Sequence, residues 1–443
     1  MVYDAVILGG GPAGYETALW VSSRGGKAAV IESGELGGVC TNRGCIPTKT
    51  LGATCDIIEQ IAKAKRYGID VQTQGLNADE LFRRRDRVAL TMRKGVEKLL
   101  QDAKVDVMRG VGKVESETEV TVNNDTVEGR TLVIATGSKP VGLPNVELDH
   151  EFVVSGDDAA ASSKLPKKVV VVGAGFIGCE YASIYSRLGC GVTLVEALPK
   201  ILPLEDEDVS DALFEAFSKT MKVVTNAKVE SVDREKKAVN VSGEWIQADM
   251  VVLATGRVPV IPRGLDEINV LHDKKGVKVD SMMRTSVDNI YAVGDVTALP
   301  KLAHAAYAGA EAAGRNIMGD KFEADFIGIP WCIFTSPEIG RAGFTEPEAR
   351  EAGREVRVGR GDYMANGKAR CMGERIGFCK VVVDGRTDEV VGVHIFGAHA
   401  SDLIGEAALA VRMRLKAQDI AKTIHPHPTL SEVFKEACEK ATG

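Results

Sequence analysis

Two cysteines separated by four residues are the side chains in this sequence with the clearest capacity for chemistry. Cys40 and Cys45 lie within GELGGVCTNRGCIPTKT, positions 34–50. Their spacing allows the two thiols to close a small ring and matches no common zinc site. The alternative is a pair of buried thiols with no bond between them. Nine cysteines in 443 residues, with no export signal at the start, indicate a reducing, cytoplasmic compartment, where a disulfide is usually catalytic.

A histidine-rich segment near the end of the chain supplies a candidate base. The segment is IHPHPTLSE, positions 424–432. Imidazole, with an ordinary pKa of ~6.5, is suited to take a proton from a thiol whose ordinary pKa is ~8.5. We predict His427 as this base and Glu432 as the carboxylate that orients its ring. Two alternatives are that His425 and His427 are loop residues fixed by the prolines, or that they bind a metal; we predict no metal site.

Two glycine-rich segments predict two dinucleotide sites. VILGGGPAG (6–14) and VVVGAGFIG (170–178) each place an apolar, β-branched run before G-x-G-x-x-G, and each leads into a helix-compatible stretch. Glycine is needed because a Cβ would keep the pyrophosphate away from the amides at the helix N-terminus. A glutamate follows each copy at the same distance and could accept hydrogen bonds from a ribose 2′-OH. The residues are Gly9, Gly11, Gly14 and Glu32 in the first copy and Gly173, Gly175, Gly178 and Glu196 in the second.

The second site is expected to bind NAD. No arginine after Glu196 could hold a 2′-phosphate, and the charge of Glu196 would repel one; Lys200 is the residue that weakens this preference. Hydride transfer moves two electrons and a disulfide accepts two, so a carrier is needed between nicotinamide and sulfur. A flavin has that capacity.

Taken in order along essentially the whole chain, these motifs resemble the flavoprotein disulfide reductases, and most closely their branch that oxidises dihydrolipoyl groups with NAD. The resemblance implies that the first copy holds FAD and the second NAD, that Cys45 lies against the flavin and that Cys40 exchanges with substrate. It places Lys49 near the flavin, with Glu180 as its ion-pair partner. The other cofactor-binding positions are Thr136 and Gly137 in LVIATGS, Gly256 in VVLATGR and Asp295 in YAVGDV.

The resemblance also implies a homodimer in which the partner subunit supplies the His427–Glu432 pair. The substrate would be a lipoyl domain or free dihydrolipoamide, in a 2-oxo acid dehydrogenase or glycine-cleavage complex. Rival functions are a glutathione or mercuric reductase and a nucleotide-sensing flavoprotein without turnover. One departure is Val260, where the family usually has asparagine.

The elements that must position these residues predict an α/β chain. We expect two Rossmann-like dinucleotide-binding domains followed by an α+β dimerisation domain. The predicted boundaries are 1–143 for the FAD-binding domain with the redox-disulfide helix, 144–263 for the NAD-binding domain, 264–325 for a central domain and 326–443 for the interface domain. Apolar spacing predicts one long helix over 78–103. A second helix is predicted over 401–415, with Ser401 as its cap.

Charge and hydropathy argue against two classes of partner. The chain carries 55 basic and 62 acidic side chains, a net charge of −7, so nucleic acid would be repelled on average. We therefore interpret the arginine cluster at 83–87 as a solvated helix face. No apolar run reaches the ~20 residues that span a bilayer, so no membrane association is expected.

Overall fold

The computed structural model describes residues 1–442, which divide into two compact units. The first unit consists of Met1–Leu143, Val154–Leu165 and Gly256–Phe326, and the second of Pro144–Val153, Pro166–Thr255 and the chain from Ile327 onward. Each unit contains one of the two glycine-rich segments. The four-domain division inferred from the sequence remains a prediction.

A parallel five-stranded sheet forms the centre of the first unit. Its strands follow the spatial order Ile290–Ala292, Leu132–Ile134, Ala5–Leu8, Ala28–Glu32 and Asp106–Arg109. The first four are almost wholly buried, whereas the last, at the edge of the sheet, is largely exposed. Smaller pairings join Val2–Tyr3, Asp125–Gly129, Glu119–Val122 and Lys113–Val114, and also Ser138–Pro140 with Arg257–Pro259 and His272–Asp273 with Gly276–Val277. The carboxyl ends of the parallel strands carry Gly9 and Glu32, as expected for a ligand site at the edge of such a sheet.

Helices cover this sheet and carry the cysteines. They are Pro12–Ser23, Gly38–Arg43, Cys45–Lys63, Ala78–Asp102, Gly156–Ala161 and Ala303–Ile317. The predicted long helix is confirmed to within a residue at its end, and it begins where the Asn77 side chain accepts a hydrogen bond from the Glu80 amide at 3.1 Å. Within residues 1–442, no helix combines the length and the apolar character needed to cross a membrane.

The second unit repeats the parallel arrangement and adds an antiparallel sheet. Its parallel strands, in spatial order, are Met250–Leu253, Lys168–Val172, Gly191–Val195 and Lys222–Val224, with helices Phe176–Arg187 and Glu207–Ser218. Val229–Asp233, Ala238–Val241 and Glu244–Gln247 form a three-stranded antiparallel sheet. The C-terminal sheet is antiparallel, in the order Pro330–Ile333, Glu338–Gly343, Val390–Gly397, Gly377–Asp384 and Val356–Asp362. The predicted α/β class, with two repeated nucleotide-type sheets and a C-terminal α+β portion, is confirmed.

The helices of the C-terminal portion pack around this antiparallel sheet. They are Glu346–Glu351, Gly367–Cys371, Ala400–Arg412, Ala417–Lys422 and Glu432–Thr442. The prediction that Ser401 caps its helix is wrong, because the cap position is His399, in the left-handed region with φ of 61°. Ser401 lies inside the helix, where its hydroxyl donates to Glu338 Oε2 at 2.8 Å.

The arginine cluster does not form a uniformly solvated face. Arg85 is 2% exposed, and its guanidinium donates to the carbonyls of Ser162 at 2.6 Å and Ala161 at 3.3 Å. These carbonyls end the helix Gly156–Ala161, where a cation is favourable to the helix dipole. Arg83, by contrast, is exposed and pairs with Glu80 in the same helix. Arg85 therefore fixes the long helix to a neighbouring helix of the first unit.

Replacing Arg85 with alanine should lower the free energy of unfolding by roughly 3 kcal/mol, because buried hydrogen bonds from a charged donor are lost. Urea denaturation measures this loss. The matched variant Arg83→Ala should change stability by less than ~0.5 kcal/mol. Equal effects of the two substitutions would show that the buried contacts of Arg85 do not stabilise the unit.

Candidate active site

The structure brings the thiols of Cys40 and Cys45 into direct contact. Cys40 lies in the helix Gly38–Arg43, and Cys45 is the first residue of the following helix, after a break at Gly44. The hydrogen bond with Cys45 and partial burial raise the pKa of the Cys40 thiol, while the charge of Lys49 acts in the opposite direction. The N-terminus of a 19-residue helix favours negative charge on Cys45. This geometry suits a pair that exchanges between dithiol and disulfide.

The first glycine-rich turn is held by its own glutamate. Glu32 accepts hydrogen bonds at 2.6 Å from the amides of Gly10 and Gly34. A Cβ on Gly14 would lie 1.8 Å from the Gly9 carbonyl oxygen, so no larger residue fits there without a shift of the backbone. The carboxylate therefore fixes the turn, and its remaining lone pairs are those that could meet a ribose hydroxyl.

The second turn has the same construction. Glu196 accepts from the Ala174 amide at 2.6 Å and from the Leu198 amide at 2.9 Å. A Cβ on Gly178 would lie 1.8 Å from the Gly173 carbonyl oxygen, the same distance as in the first turn. The repeat seen in the sequence is thus a repeat of backbone geometry.

Not every glycine in these turns is explained by packing within the protein. An added Cβ on Gly175 would meet no atom within 4 Å, and one on Gly11 would meet nothing closer than 3.7 Å. Both residues precede a helix N-terminus and make no side-chain cap. The two turns therefore leave open space beside helix amides, which fits the pyrophosphate of a dinucleotide.

Lys200 forms ion pairs with acidic side chains, so it does not favour NADP over NAD. Its ammonium group pairs with Glu207, and it lies 3.6 Å from Asp211. These acidic side chains compete with any 2′-phosphate for the lysine. The sequence could not show this, because both partners lie on the next helix.

Asp295 is fixed by a network that the sequence analysis missed. Ser138 donates to Asp295 Oδ2 at 2.6 Å, and Arg257 Nε donates to the Ser138 hydroxyl at 2.8 Å. Arg257 also pairs with Asp157 at 2.6 Å. Arg257 and Ser138 immediately follow the two Ala-Thr-Gly phrases, so this repeated phrase was the available signal.

The remaining predicted cofactor residues lie near this network. Thr136 donates its hydroxyl to the Val260 carbonyl, and Val260 donates its amide to the Gly137 carbonyl at 2.9 Å. Gly137 and Gly256 have φ values of 71° and 119°, in the region that favours glycine, and an added Cβ on either would meet no atom within 4 Å. A backbone carbonyl at position 260 serves this contact whatever its side chain.

Lys49 and Glu180 lie in different units. Lys49 acts electrostatically on Cys40 in the first unit. Glu180, in the second unit, is 7% exposed and accepts from the Phe334 amide at 3.0 Å. The ion pair between the two remains a prediction.

The imidazole of His427 and the carboxylate of Glu432 are in contact, as predicted for a base and the carboxylate that orients it. His427 Nδ1 lies 2.9 Å from Glu432 Oε1, and the Thr429 amide donates to Glu432 Oε2 at 2.9 Å. The Thr429 and His427 hydrogen bonds lower the pKa of Glu432 and keep it anionic. His427 is 76% exposed and presents its ring to solvent. Both nitrogens of His425 are engaged, with Glu406 and the Thr423 carbonyl.

The chain is similar to known proteins over nearly its whole length. Residues 3–310 match the model of the pyridine nucleotide-disulphide oxidoreductases, and residues 329–438 match the dimerisation domain of the same family. The chain is 36% identical to dihydrolipoyl dehydrogenase of Chlamydia muridarum over 445 residues, which cover 98% of this chain and 96% of that protein. It is likewise 36% identical to mitochondrial dihydrolipoyl dehydrogenase of Pisum sativum, covering 98% and 90%.

Solved structures show the same fold. LpdA from Mycobacterium tuberculosis superposes with a TM-score of 0.91 at 27% identity, covering 98% of both chains. The HOCl-induced flavoprotein disulfide reductase RclA from Escherichia coli superposes with a TM-score of 0.89 at 26% identity, covering 99% of both chains.

The fold and the site define a class of redox protein that has two dinucleotide-binding turns, a pair of cysteines in contact and a dimerisation domain. The chain belongs to the pyridine nucleotide-disulphide oxidoreductases, a family of flavoprotein disulfide reductases that use FAD and NAD. The dimerisation domain supports a homodimer.

Replacing Gly175 with alanine should weaken NADH binding about tenfold while leaving the melting temperature unchanged, because the new methyl group enters ligand space and touches no protein atom. Fluorescence titration with NADH measures the affinity. Gly95→Ala is the matched control, since Gly95 lies in the helix Ala78–Asp102 and also has no neighbour within 4 Å of an added Cβ. Unchanged affinity in Gly175→Ala would contradict the assignment of this turn to the nucleotide.

Proposed function

We propose that this chain is a dihydrolipoyl dehydrogenase, which oxidises dihydrolipoyl groups to the cyclic disulfide with NAD as the final acceptor. The observation that carries the proposal is the contact between the Cys40 and Cys45 thiols beside the first dinucleotide turn. The relatives named dihydrolipoyl dehydrogenase, matched over nearly their full length, support the choice of substrate.

The cysteines take different parts in this reaction. The substrate thiolate attacks the sulfur of Cys40, and the bond between Cys40 and Cys45 breaks with its electron pair left on Cys45. The helix N-terminus at Cys45 stabilises the resulting thiolate. FAD and NAD, held by the residues of the two glycine-rich turns, would supply a two-electron acceptor for these thiols.

His427 takes the protons of the substrate thiols. Glu432 holds Nδ1 of its ring and stabilises the imidazolium that forms. We place this pair at the cysteines of the partner subunit, so that each site of the homodimer is completed by the other chain. Lys49 and Glu180 form an ion pair near the flavin in this proposal.

The cofactor positions follow the two repeats. Gly9, Gly11, Gly14 and Glu32, with Thr136, Gly137, Gly256 and Asp295, hold FAD. Gly173, Gly175, Gly178 and Glu196 hold NAD. The engagement of Lys200 with Glu207 favours NAD over NADP.

The wider setting is part of the same proposal. The substrate is a lipoyl domain or free dihydrolipoamide, within a 2-oxo acid dehydrogenase or glycine-cleavage complex. The protein works in the cytoplasm, without nucleic acid or membrane. The rival activity, reduction of glutathione disulfide, is an outcome of the experiment that follows.

Purified protein should oxidise dihydrolipoamide with NAD, and Cys45→Ser should abolish this activity while retaining bound flavin, because the exchange needs both sulfurs. Absorbance of NADH and of the flavin gives the two readings. Cys371→Ser is the matched control at an exposed cysteine and should keep full activity. A protein that reduces glutathione disulfide with NADPH and ignores dihydrolipoamide would contradict the proposal, as would full activity in Cys45→Ser.

Replacing His427 with glutamine should lower kcat for dihydrolipoamide by ~100-fold or more, since a positioned base typically contributes that much. His425→Gln, which changes a histidine engaged by Glu406, is the comparison and should retain kcat. Equal kcat values for His427→Gln and the unchanged protein would remove His427 from the mechanism.

A further inference from the structure

Two tyrosines from separate helices face each other in the first unit. The helices Pro12–Ser23 and Ala303–Ile317 pack together, and a Cβ on Gly314 would lie 2.4 Å from Trp20 Cβ, so the absence of a side chain permits this approach. The hydroxyl oxygens of Tyr15 and Tyr307 are 3.1 Å apart, and their ring centroids are 6.4 Å apart. We refer to these two residues as the tyrosine pair.

The tyrosine pair lies beside the reactive cysteines. The Gly37 amide donates to the Gly10 carbonyl at 2.8 Å, and a Cβ on Gly38 would lie 2.7 Å from Gly11 Cα. The helix that carries Cys40 therefore begins against the N-terminus of the helix that carries Tyr15. A negative charge on Cys40 would raise the pKa of both phenols, as expected from this proximity.

The two tyrosine residues differ in exposure. Tyr15 is 7% exposed, whereas Tyr307 is 39% exposed. Burial raises the pKa of both phenols, and both therefore keep their protons at neutral pH. The two hydroxyls share one hydrogen bond, and in the arrangement in which the enclosed Tyr15 donates, the Tyr307 proton is available to another acceptor.

A thiolate is the acceptor that the proposed reaction brings to this place. A hydrogen bond from a neutral phenol to a sulfur anion stabilises the anion without transferring a proton. The ring of Tyr307 also offers an apolar surface to the alkyl chain of a dithiol.

We propose that Tyr307, held by Tyr15, contacts the substrate and donates a hydrogen bond to the dithiol sulfur that exchanges with Cys40. This inference rests on the proposed function. The first substrate sulfur bonds to Cys40 as the Cys40–Cys45 bond breaks; the second then displaces Cys40 and closes the substrate disulfide. The substrate loses two electrons and two protons, the cysteine pair gains the electrons, and the protein takes up the protons.

The test uses the holoenzyme with Tyr307→Phe and Tyr15→Phe. Tyr307→Phe should lower kcat/KM for dihydrolipoamide by about tenfold, as expected for a lost hydrogen bond to a charged group. The acidic limb of the kcat profile should move to higher pH, because the bound thiol ionises less readily without its donor. Tyr15→Phe should give a smaller loss, since the Tyr307 hydroxyl remains but is less well oriented.

Two controls separate contact with the substrate from a structural effect. Reduction of ferricyanide by NADH, which bypasses the cysteines, should be unchanged in both variants. Tyr3→Phe is the matched control, because it also removes a phenol hydroxyl, which donates to Asp106 at 2.8 Å. This variant should leave kcat/KM unchanged.

Three results would overturn the assignment. One is a Tyr307→Phe enzyme with the kcat/KM and pH profile of the unchanged protein. Another is a parallel loss of ferricyanide reduction and of bound flavin, which would make the role of Tyr307 structural. The third is the finding that the protein without any substitution reduces ferricyanide but does not oxidise dihydrolipoamide. Of the three results, only this one would also overturn the proposed function.

Discussion

The contact between two sulfurs across a helix break is the constraint on which the proposed chemistry depends. In an uninterrupted α-helix, residues five apart point in directions that differ by ~140°, so their thiols would not meet. The chain instead ends one helix at Arg43 and starts the next at Cys45. A Cβ on Gly44 would lie 3.1 Å from the Val39 carbonyl oxygen, so glycine relieves crowding at this break. The same break places Cys45 at a helix N-terminus, which favours its thiolate.

The two glycine-rich dinucleotide turns have the same backbone construction. In both dinucleotide turns, the third glycine approaches the first carbonyl so closely that a Cβ would lie 1.8 Å away, and a glutamate at the end of the next strand holds the turn through two amides. The glutamate thus has a structural task that exists before any nucleotide binds. Two matched turns in one chain fit a protein that passes an electron pair between two nucleotide cofactors.

The sequence predicted those features that depend on local spacing. The glycine turns, the long helix Ala78–Asp102 and the approach of His427 to Glu432 all involve short separations or a regular apolar period. Features that depend on distant pairs were missed. Ser138, Arg257 and Asp295 are far apart in sequence, and their hydrogen bonds appear only when the strands that carry the first two pair. Arg85 was misjudged because a charged cluster on a helix does not show which member faces inward.

The most direct measurement is the alkylation of Cys40 and Cys45 in the oxidised protein, before and after anaerobic addition of dihydrolipoamide, followed by peptide mass spectrometry. The account predicts that iodoacetamide labels neither residue at first and labels both after the addition, with one equivalent of lipoamide formed per chain. Equal labelling of both cysteines before and after the addition would contradict it.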